Sequence, residues 1–235
     1  MGNSWFQFQQ FRIQQDRCAM KISTDAVLLA TLTKAESPSK ILDIGTGTGV
    51  IALMLAQRFS ESAVTAIEID SDAASQARDN FSESPFAERL SLFQGRFQDF
   101  PIDKSFDLIV SNPPFFPDHL KSKDSKRNKA LHTDELSFEE LIAKAALLLS
   151  PLGSFWVILP PRQMQDLEIL AEKSELFLFE KIKVRDNPQK PIYREIGGFS
   201  FSNTSKIEVE LILKDENLTY TPAYSTILSG FLLGY

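Results

Sequence analysis

The sequence has little cysteine, little histidine and no long apolar segment. Cys18 is the single cysteine among 235 residues, which excludes an intramolecular disulfide and a cysteine-based zinc site. The two histidines, His119 and His132, lack a second ligand-type residue at a metal-binding spacing, so no metal site is predicted. No apolar run reaches the roughly 18 residues that cross a bilayer, and residues 1–15 lack the apolar core of a signal peptide. Together these features predict a cytoplasmic protein without a membrane partner.

An excess of positive charge is also missing. Lysine and arginine total 25 against 31 acidic residues, a net charge of −6, which argues against a generic nucleic-acid binder. Positive charge is nevertheless concentrated in two segments, which either contact RNA or form ordinary solvated surface. The first segment contains Lys121, Lys123, Lys126, Arg127 and Lys129; the second contains Lys181, Lys183, Arg185, Lys190 and Arg194.

From residue 40 onward, apolar strand patterns alternate with helical patterns. KILDI at 40–44 precedes the helical VIALMLAQRF, and FDLIVS at 106–111 precedes the helical segment at 137–150. Such alternation predicts an α/β fold with a parallel, doubly wound sheet, in which ligands bind beyond the carboxyl ends of the strands. Two late segments, LFLFEKIKVRD and KIEVELILK, alternate apolar and polar residues, which predicts an antiparallel pair.

The residues before this alternation form an N-terminal extension, residues 1–35. An aromatic, glutamine-rich stretch, FQFQQF at 6–11, predicts an extended strand or arm. The sequence Ser23-Thr24-Asp25 then supplies N-cap candidates for a helix. Because the sequence contains no internal repeat and no low-complexity linker, we expect residues 1–235 to form a single domain.

A glycine-rich turn links the first strand of the alternation to its helix. Gly45, Gly47 and Gly49 follow KILDI with the spacing G-x-G-x-G, whereas a dinucleotide-binding turn has G-x-G-x-x-G. Glycines allow the tight turn and let a ligand approach the backbone closely. Asp43 would repel a pyrophosphate but suits a ligand ammonium group. The turn resembles motif I of class I methyltransferases, and this resemblance implies S-adenosylmethionine as the cofactor.

Acidic residues follow the next two strands. Glu68 ends the strand AVTAIE, where an acidic side chain can accept both hydroxyls of a ribose. Asp70 ranks below Glu68, because it is also a candidate helix N-cap. In the class I methyltransferases that the turn resembles, an acid at the position of Asp99 lies near the adenine amino group. There Phe97 could pack on the ring; the alternative for Asp99 is a surface turn.

A catalytic tetrapeptide, Asn112-Pro113-Pro114-Phe115, is predicted directly after FDLIVS. The Asn112 side-chain oxygen and the Pro113 carbonyl can accept the two hydrogens of an exocyclic amine, which directs the nitrogen lone pair toward a methyl donor. The prolines, including Pro114, restrict the loop and preorganise these acceptors, and Phe115 can stack on a flat base. The tetrapeptide resembles the N/D-P-P-F/Y/W motif of methyltransferases that act on amino groups. Without the glycine turn upstream, the alternative interpretation, a rigid exit from the strand, would be favoured.

Two further segments narrow the resemblance to one family. FQQFRIQQDRCAMKISTD at 8–25 and ALHTDELSFEEL at 130–141 resemble segments of bacterial tRNA1(Val) (adenine-37-N6)-methyltransferases. The resemblance implies a Rossmann-like class I methyltransferase fold with a mostly parallel seven-stranded sheet whose last strand is antiparallel. It also implies that residues 1–35 border the cofactor pocket, that Thr24 and Asp25 contribute to it, and that Asn112 contacts the cofactor as well as the amine.

The resemblance also implies the reaction. The expected activity is transfer of one methyl group to N6 of adenine 37 in the anticodon loop of a valine tRNA, whose base would have to leave its stack to reach Asn112. We expect the basic residues at 121–129 to contact the flanking phosphates. Alternatives stay open: an N5-glutamine protein methyltransferase, an amino-methyltransferase of ribosomal RNA or DNA with a similar tetrapeptide, or a non-catalytic RNA-binding protein on this scaffold.

Overall fold

Residues 3–18, 20–103, 105–114 and 136–235 are described by a computed structural model. The helices are α1 (Thr24–Leu32), α2 (Val50–Arg58), α3 (Ser71–Ser82), α4 (Phe138–Leu148), α5 (Pro161–Lys173) and α6 (Pro222–Leu228). The strands are β1 (Trp5–Gln7), β2 (Arg12–Gln14), β3 (Lys40–Ile44), β4 (Ala63–Glu68), β5 (Leu90–Gln94), β6 (Phe106–Ser111), β7 (Leu149–Leu159), β8 (Phe177–Arg185), β9 (Ile192–Ser200) and β10 (Ile207–Ile212). Within these ranges, no helix is long and apolar enough to cross a membrane.

The central sheet has the order β10-β8-β9-β7-β6-β3-β4-β5. The five strands from β7 to β5 are parallel, as the alternation of strands and helices predicts. The strand order reverses beside β3, because β4 and β5 extend the sheet to one side and β6 and β7 extend it to the other. A sheet of this kind has its ligand crevice at the carboxyl ends of the strands where the order reverses, here β3 and β6.

Helices cover both faces of the sheet and divide the core into two apolar clusters. On one face α1 contacts α2, and residues 50–56 of α2 are all buried, which explains why its sequence is apolar all round. On the other face α4 contacts α5, and their buried side chains include Leu141, Leu148, Met164 and Leu167. The helix that follows the glycine turn, α2, is therefore buried on all of its faces over residues 50–56.

The C-terminal part of the sheet differs from the prediction in one respect. The two late segments that predict an antiparallel pair become β8 and β10, which are parallel neighbours. The antiparallel strand is β9, which lies between β7 and β8 and runs against both. Thus the seventh strand of the main sheet is antiparallel, as the family resemblance implies, and β10 adds an eighth at the edge. Gly197 and Gly198 weaken the strand pattern of β9, yet a Cβ on Gly198 would lie 2.8 Å from the Trp156 ring.

The N-terminal extension contains a β-hairpin of β1 and β2; the strand predicted at 6–11 is confirmed only at residues 6–7, and residues 8–11 connect the two strands. Phe8, Phe11 and Ile13 are buried in the apolar cluster on the α1–α2 face, and the Phe8 and Phe11 rings stack with centroids 4.6 Å apart. The Gln9 amide donates to the Phe231 carbonyl at 2.8 Å. The hairpin is therefore anchored by its aromatic residues and by the chain after α6.

The predicted start of α1 is confirmed by its hydrogen bond, and two further helices begin at local signals in the sequence. Ser23 caps α1 by accepting from the Ala26 amide at 3.2 Å, and Ser137 forms a capping box with Glu140 at the start of α4. Pro161 occupies the first turn of α5, where its missing N–H costs no helical hydrogen bond. These caps fix where each helix begins relative to the sheet edge.

Candidate active site

The predicted site residues meet at the carboxyl edge of the sheet. Ile44, the last residue of β3, pairs with Ile67 on one side and Ser111 on the other. The next residue along each strand is Gly45, Glu68 and Asn112, respectively. The pairing therefore places the start of the glycine turn between Glu68 and the tetrapeptide. This arrangement follows from the shared edge of parallel strands, and it brings together residues from three separate segments.

The glycine turn combines two different uses of glycine. Gly45, Gly47 and Gly49 have φ of 73°, 55° and 85°, a region that residues with a Cβ rarely adopt. At Gly49 a Cβ would lie 2.5 Å from the Phe81 ring, so this glycine permits α2 to begin against α3. At Gly45 a Cβ would meet no described atom within 4 Å. The turn therefore opens toward the crevice at Gly45, where a ligand can approach the backbone.

Asp43 is a buried carboxylate with an unfilled hydrogen-bonding position. Its side chain is 0% exposed, and Oδ2 accepts from the Thr46 hydroxyl at 2.6 Å. Oδ1 has no partner among the described residues. Burial raises the pKa of Asp43 to about 7, because a carboxylate without counter-charge is costly in the interior. A ligand ammonium group would supply both the missing donor and the missing positive charge.

Glu68 is held by two backbone amides of the crevice. Its Oε2 accepts from the Gly47 amide at 2.8 Å and its Oε1 from the Asp70 amide at 2.9 Å. Each carboxylate oxygen can accept a second hydrogen bond, so a fixed Glu68 still has capacity for ribose hydroxyls. Asp70 itself caps α3 by accepting from the Ala73 amide at 2.8 Å, which agrees with its lower rank as a ligand.

Asp99 and Phe97 follow β5 in a short 3-10 helix, Phe97–Asp99. The Asp99 side chain is exposed, and Lys144 of α4 lies nearby, with its Nζ 5.6 Å from the Phe97 ring centroid. Phe97 is only 4% exposed and packs in the apolar cluster of α4 and α5. Asp99 is therefore accessible to a ligand, whereas the Phe97 ring already belongs to the core.

The two residues at the start of α1 that are predicted to contribute to the cofactor pocket lie in different environments. Thr24 is exposed, whereas Asp25 is buried and pairs with Arg194 of β9, with Nε 2.6 Å from Oδ2. The pairing compensates the negative charge of Asp25 at this helix N-terminus. The helix start can thus favour an anion through its free N–H groups, while Asp25 is engaged within the protein.

The tetrapeptide leaves β6 at the centre of the crevice. Asn112 is half-buried, Pro113 is buried and Pro114 is exposed. The preceding Ser111 hydroxyl donates to the Ile44 carbonyl at 3.1 Å, which ties the end of β6 to the end of β3. Within the described part of the chain, no hydrogen bond engages the Asn112 side chain. Phe115 and the predicted RNA-contacting residues lie outside the described residues: Lys121, Lys123, Lys126, Arg127 and Lys129.

The second basic segment is largely paired within the protein. Lys181 is buried between Glu168 and Glu195, Lys183 pairs with Glu208, and Arg185 pairs with Glu210. Arg194 pairs with Asp25, as described above. A cation already paired with a carboxylate contributes little net positive charge to a phosphate-binding surface. Most of the positive charge of this segment is therefore neutralised within the protein, and the exposed Lys190 is the member for which the described residues supply no ion pair.

Sequence reasoning missed the contacts between the N-terminal extension and α3. Gln76 and Asn80 are both 0% exposed, and their side chains bond to the chain between Gln14 and Arg17. Polar residues four apart on a helix ordinarily indicate a solvent-facing surface, so their burial had no separate signal in the sequence. Their contacts bring Cys18 beside Gly47.

Comparison with known proteins places this geometry in a family. Residues 21–175 match the family described as Methyltransferase small domain. A Flavobacterium johnsoniae protein named tRNA1(Val) (adenine(37)-N6)-methyltransferase is 42% identical, and the match covers 97% of this chain and 99% of the relative. A protein of the same name from Parabacteroides distasonis is 41% identical, with 99% of each chain covered.

Solved structures support the fold. A predicted O-methyltransferase from Agrobacterium tumefaciens has a TM-score of 0.69 at 19% identity, covering 88% of this chain and 96% of that one. The glycopeptide N-methyltransferase MtfA, complexed with S-adenosylmethionine, has a TM-score of 0.55 at 15% identity, covering 76% and 93%. The match to the family model and the relatives at about 40% identity show that the chain belongs to the Methyltransferase small domain family and, within it, to the family of tRNA1(Val) (adenine(37)-N6)-methyltransferases.

Proposed function

We propose that this protein transfers a methyl group from S-adenosylmethionine to N6 of adenine 37 in the anticodon loop of tRNA1(Val). The observation that carries the proposal is the placement of Asn112 beside the glycine turn at one sheet edge. The relatives named for this activity are about 40% identical over nearly the whole chain, which supports the choice of substrate. A tRNA substrate would be met in the cytoplasm, as the composition predicts.

The residues at the cofactor side of the crevice fit S-adenosylmethionine. Asp43 offers an unpaired buried oxygen to the ammonium group, and Glu68 has remaining acceptor capacity for the ribose hydroxyls. The open space at Gly45 admits the ligand to the backbone. We assign Asp99 to the adenine amino group and the exposed Thr24 at the start of α1 to the carboxylate end. Residues 1–35 then act as an extension of a single methyltransferase domain, residues 1–235.

The tetrapeptide prepares the acceptor nitrogen. S-adenosylmethionine supplies a methyl group made electrophilic by its sulfonium charge. The Asn112 side-chain oxygen and the Pro113 carbonyl accept the N–H hydrogens of the adenine amine, which keeps its lone pair directed at that methyl group. Pro114 restricts the backbone, and Phe115 stacks on the extruded base. Since the Asn112 side chain has no partner within the described residues, binding the amine breaks no hydrogen bond to them.

The decisive experiment follows a labelled methyl group into defined acceptors. Purified protein is incubated with labelled S-adenosylmethionine and a tRNA1(Val) transcript, and nucleosides are separated after digestion. We expect label in N6-methyladenosine with the adenine-37 transcript and none when that base is guanine. Ribosomal RNA and total protein serve as competing acceptors. Label in protein glutamine or in ribosomal RNA, with none in the transcript, would contradict the proposal and favour the corresponding alternative.

A further inference from the structure

Residues 14–18, which we call the arm, run from the last residue of β2 across α3 to the glycine turn. The hairpin before the arm is already anchored by the buried Phe8 and Phe11 and by the bond from Gln9 to Phe231. The arm has contacts of its own: Gln15 bonds to Asn3, Ser4 and Ile22. In addition, the side chains of Gln76 and Asn80 attach the arm to one face of α3. Residues four apart lie on the same helix face, so these two amides form one attachment for the arm.

Asn80 joins the arm, α3 and the glycine turn through a single side chain. Its Oδ1 accepts from the Gln14 amide at 2.8 Å, and its Nδ2 donates to the Gln14 carbonyl at 2.9 Å and to the Thr48 carbonyl at 2.8 Å. Both amide hydrogens are thereby used. A buried amide is costly unless it is hydrogen-bonded. The Asn80 amide finds its partners in the arm and in the glycine turn, so it links the two segments.

Gln76 fixes the next part of the arm. Its Oε1 accepts from the Arg17 amide at 2.7 Å, and its Nε2 donates to Asp16 Oδ1 at 3.1 Å. The hydrogen bond from Gln76 is the largest cause that lowers the pKa of Asp16. By contrast, the ion pair of Arg17 with Asp79 on the same helix is exposed at both partners, and such pairs contribute little.

The attachment determines the position of Cys18, the last residue of the arm. A Cβ built on Gly47 would lie 4.0 Å from Cys18 Sγ. Burial, together with the negative charges of Glu68 and Asp70, raises the pKa of the Cys18 thiol to about 11. Cys18 thus lies near the part of the crevice that contains Gly47 and Glu68.

We propose that Gln76 and Asn80 are positioning residues for cofactor binding, which hold the arm so that Cys18 forms one wall of the S-adenosylmethionine pocket. The inference rests on the proposed function only for the identity of the cofactor. Neither amide touches the ligand: Gln76 acts through the arm, and Asn80 acts through the arm and through Thr48 of the glycine turn. A role limited to stability would affect unfolding alone, whereas a positioning role also affects cofactor affinity and access to Cys18.

The first test needs no variant. Cys18 is the only cysteine, so alkylation by iodoacetamide, followed by intact-protein mass spectrometry, reports this thiol alone. Near pH 8.5, where a small thiolate fraction reacts, we expect saturating S-adenosylhomocysteine to slow alkylation by about tenfold or more, since only the thiolate reacts and the ligand would cover it. Equal rates with and without the ligand would place Cys18 away from the pocket and overturn the proposal.

The second test uses Asn80→Asp and Gln76→Glu, which keep the shape but replace amide donors by carboxylate oxygens. We expect each to weaken S-adenosylhomocysteine binding about tenfold by calorimetry and to speed Cys18 alkylation in the free protein. KM for the cofactor should rise, with kcat at saturation within about twofold of wild type. The matched control, Asp79→Asn, removes only the exposed ion pair of Arg17. It should change neither the S-adenosylhomocysteine affinity nor the alkylation rate of Cys18.

The outcomes separate this proposal from the proposed function. If the wild-type protein does not bind S-adenosylhomocysteine, the proposed function itself fails. If it binds but Cys18 is not protected, or if both variants bind normally while unfolding at lower temperature, the amides are structural only and this proposal fails. Should Asn80→Asp not fold, Gln76→Glu and the wild-type protection experiment still decide the question.

Discussion

The two halves of the crevice are prepared for their ligands in different ways. In the cofactor half, Asp43 is bonded to Thr46 and Glu68 is held by two backbone amides. In the acceptor half, the Asn112 side chain is half-buried and no hydrogen bond within the described residues engages it. The carboxylates of the cofactor half are thus oriented by bonds within the protein, whereas the Asn112 side chain has no such bond to the described residues.

Because the two halves differ in this way, we expect mutations to affect cofactor binding and catalysis separately. Preorganised groups that face a ligand in its ground state contribute to affinity, while groups that act on the reacting amine contribute to the rate. Substitutions in the cofactor half should therefore weaken cofactor binding first. Substitutions at the tetrapeptide should slow transfer and leave cofactor binding nearly unchanged.

The largest expected effect is that of Asn112→Ala. Loss of one preorganised polar group at the reacting centre should lower the single-turnover rate by about 10²- to 10³-fold. Because we assign the Asn112 side-chain oxygen to the amine rather than to the ribose or adenine of the cofactor, calorimetry should give S-adenosylhomocysteine affinity within about twofold of wild type. Asn112→Asp, which keeps an acceptor oxygen, should retain more activity than the alanine variant. Near wild-type turnover in Asn112→Ala would refute the role assigned to this residue.

Glu68→Ala should produce the converse result. Removing a charged acceptor of ribose hydroxyls should weaken S-adenosylhomocysteine binding by about 10- to 100-fold. The neighbouring Asp70→Ala is the control, because loss of its cap to Ala73 should lower stability by about 1 kcal/mol and leave affinity nearly unchanged. Equal cofactor affinity in the two variants would remove the distinction between them.

A smaller effect is expected from the titration of Asp43. In the free protein its pKa is raised to about 7, and a bound ammonium group favours the carboxylate form. Binding should therefore release a proton, and cofactor affinity should rise as the pH increases through 7. Calorimetry in buffers of different ionisation enthalpy measures this release. It should be absent in Asp43→Asn, and a pH-independent affinity in the wild type would contradict the assignment.

The same shift has a consequence for stability. Because the folded state binds this proton more tightly than the unfolded state, whose pKa is near the usual 3.8, the contribution of Asp43 to the free energy of unfolding falls as the pH rises toward 7. The Asp43→Asn variant should therefore gain stability relative to wild type between pH 5 and pH 8. Urea denaturation at both values checks the sign, and a relative loss would oppose it.

The last prediction concerns the salt dependence of RNA binding. If Lys121, Lys123 and Lys126 contact phosphates, neutralising all three should flatten the plot of log affinity against log salt by about two units of slope, at about 0.7 per contact. The control is neutralisation of Lys183 and Arg185, which are paired with glutamates of β10 and should leave the slope unchanged. An unchanged slope in the lysine variant would leave the RNA surface unassigned.

The sequence predicts the parts of the site that depend on local signals. The segment from 40 to 58 contains a strand, the glycine turn and a buried helix in order, and Asn112 follows β6, which is the third strand after β3 in the chain and its neighbour in the sheet. Since parallel strands end at a common edge, the meeting of Gly45, Glu68 and Asn112 follows from their positions after strands. In each of these elements the residues that determine the structure and the candidate ligand lie within a few positions of one another.

The elements that the sequence does not predict depend on distant partners. Asp25 pairs with Arg194, which is 169 positions away, and Asn80 reaches Gln14 across 66 positions. Strand β9 contains two adjacent glycines that weaken its pattern, although packing against Trp156 requires a small residue there. In each case the deciding contact forms only once the sheet has brought separate segments together.

The most direct test of the division between the two halves is transfer to tRNA1(Val) at increasing cofactor concentration. Single-turnover rates are compared for wild type, Glu68→Ala and Asn112→Ala. We predict that saturating S-adenosylmethionine restores Glu68→Ala to within about threefold of the wild-type rate and leaves Asn112→Ala slower by about 100-fold or more. Restoration of Asn112→Ala by the cofactor, or failure to restore Glu68→Ala, would contradict the account.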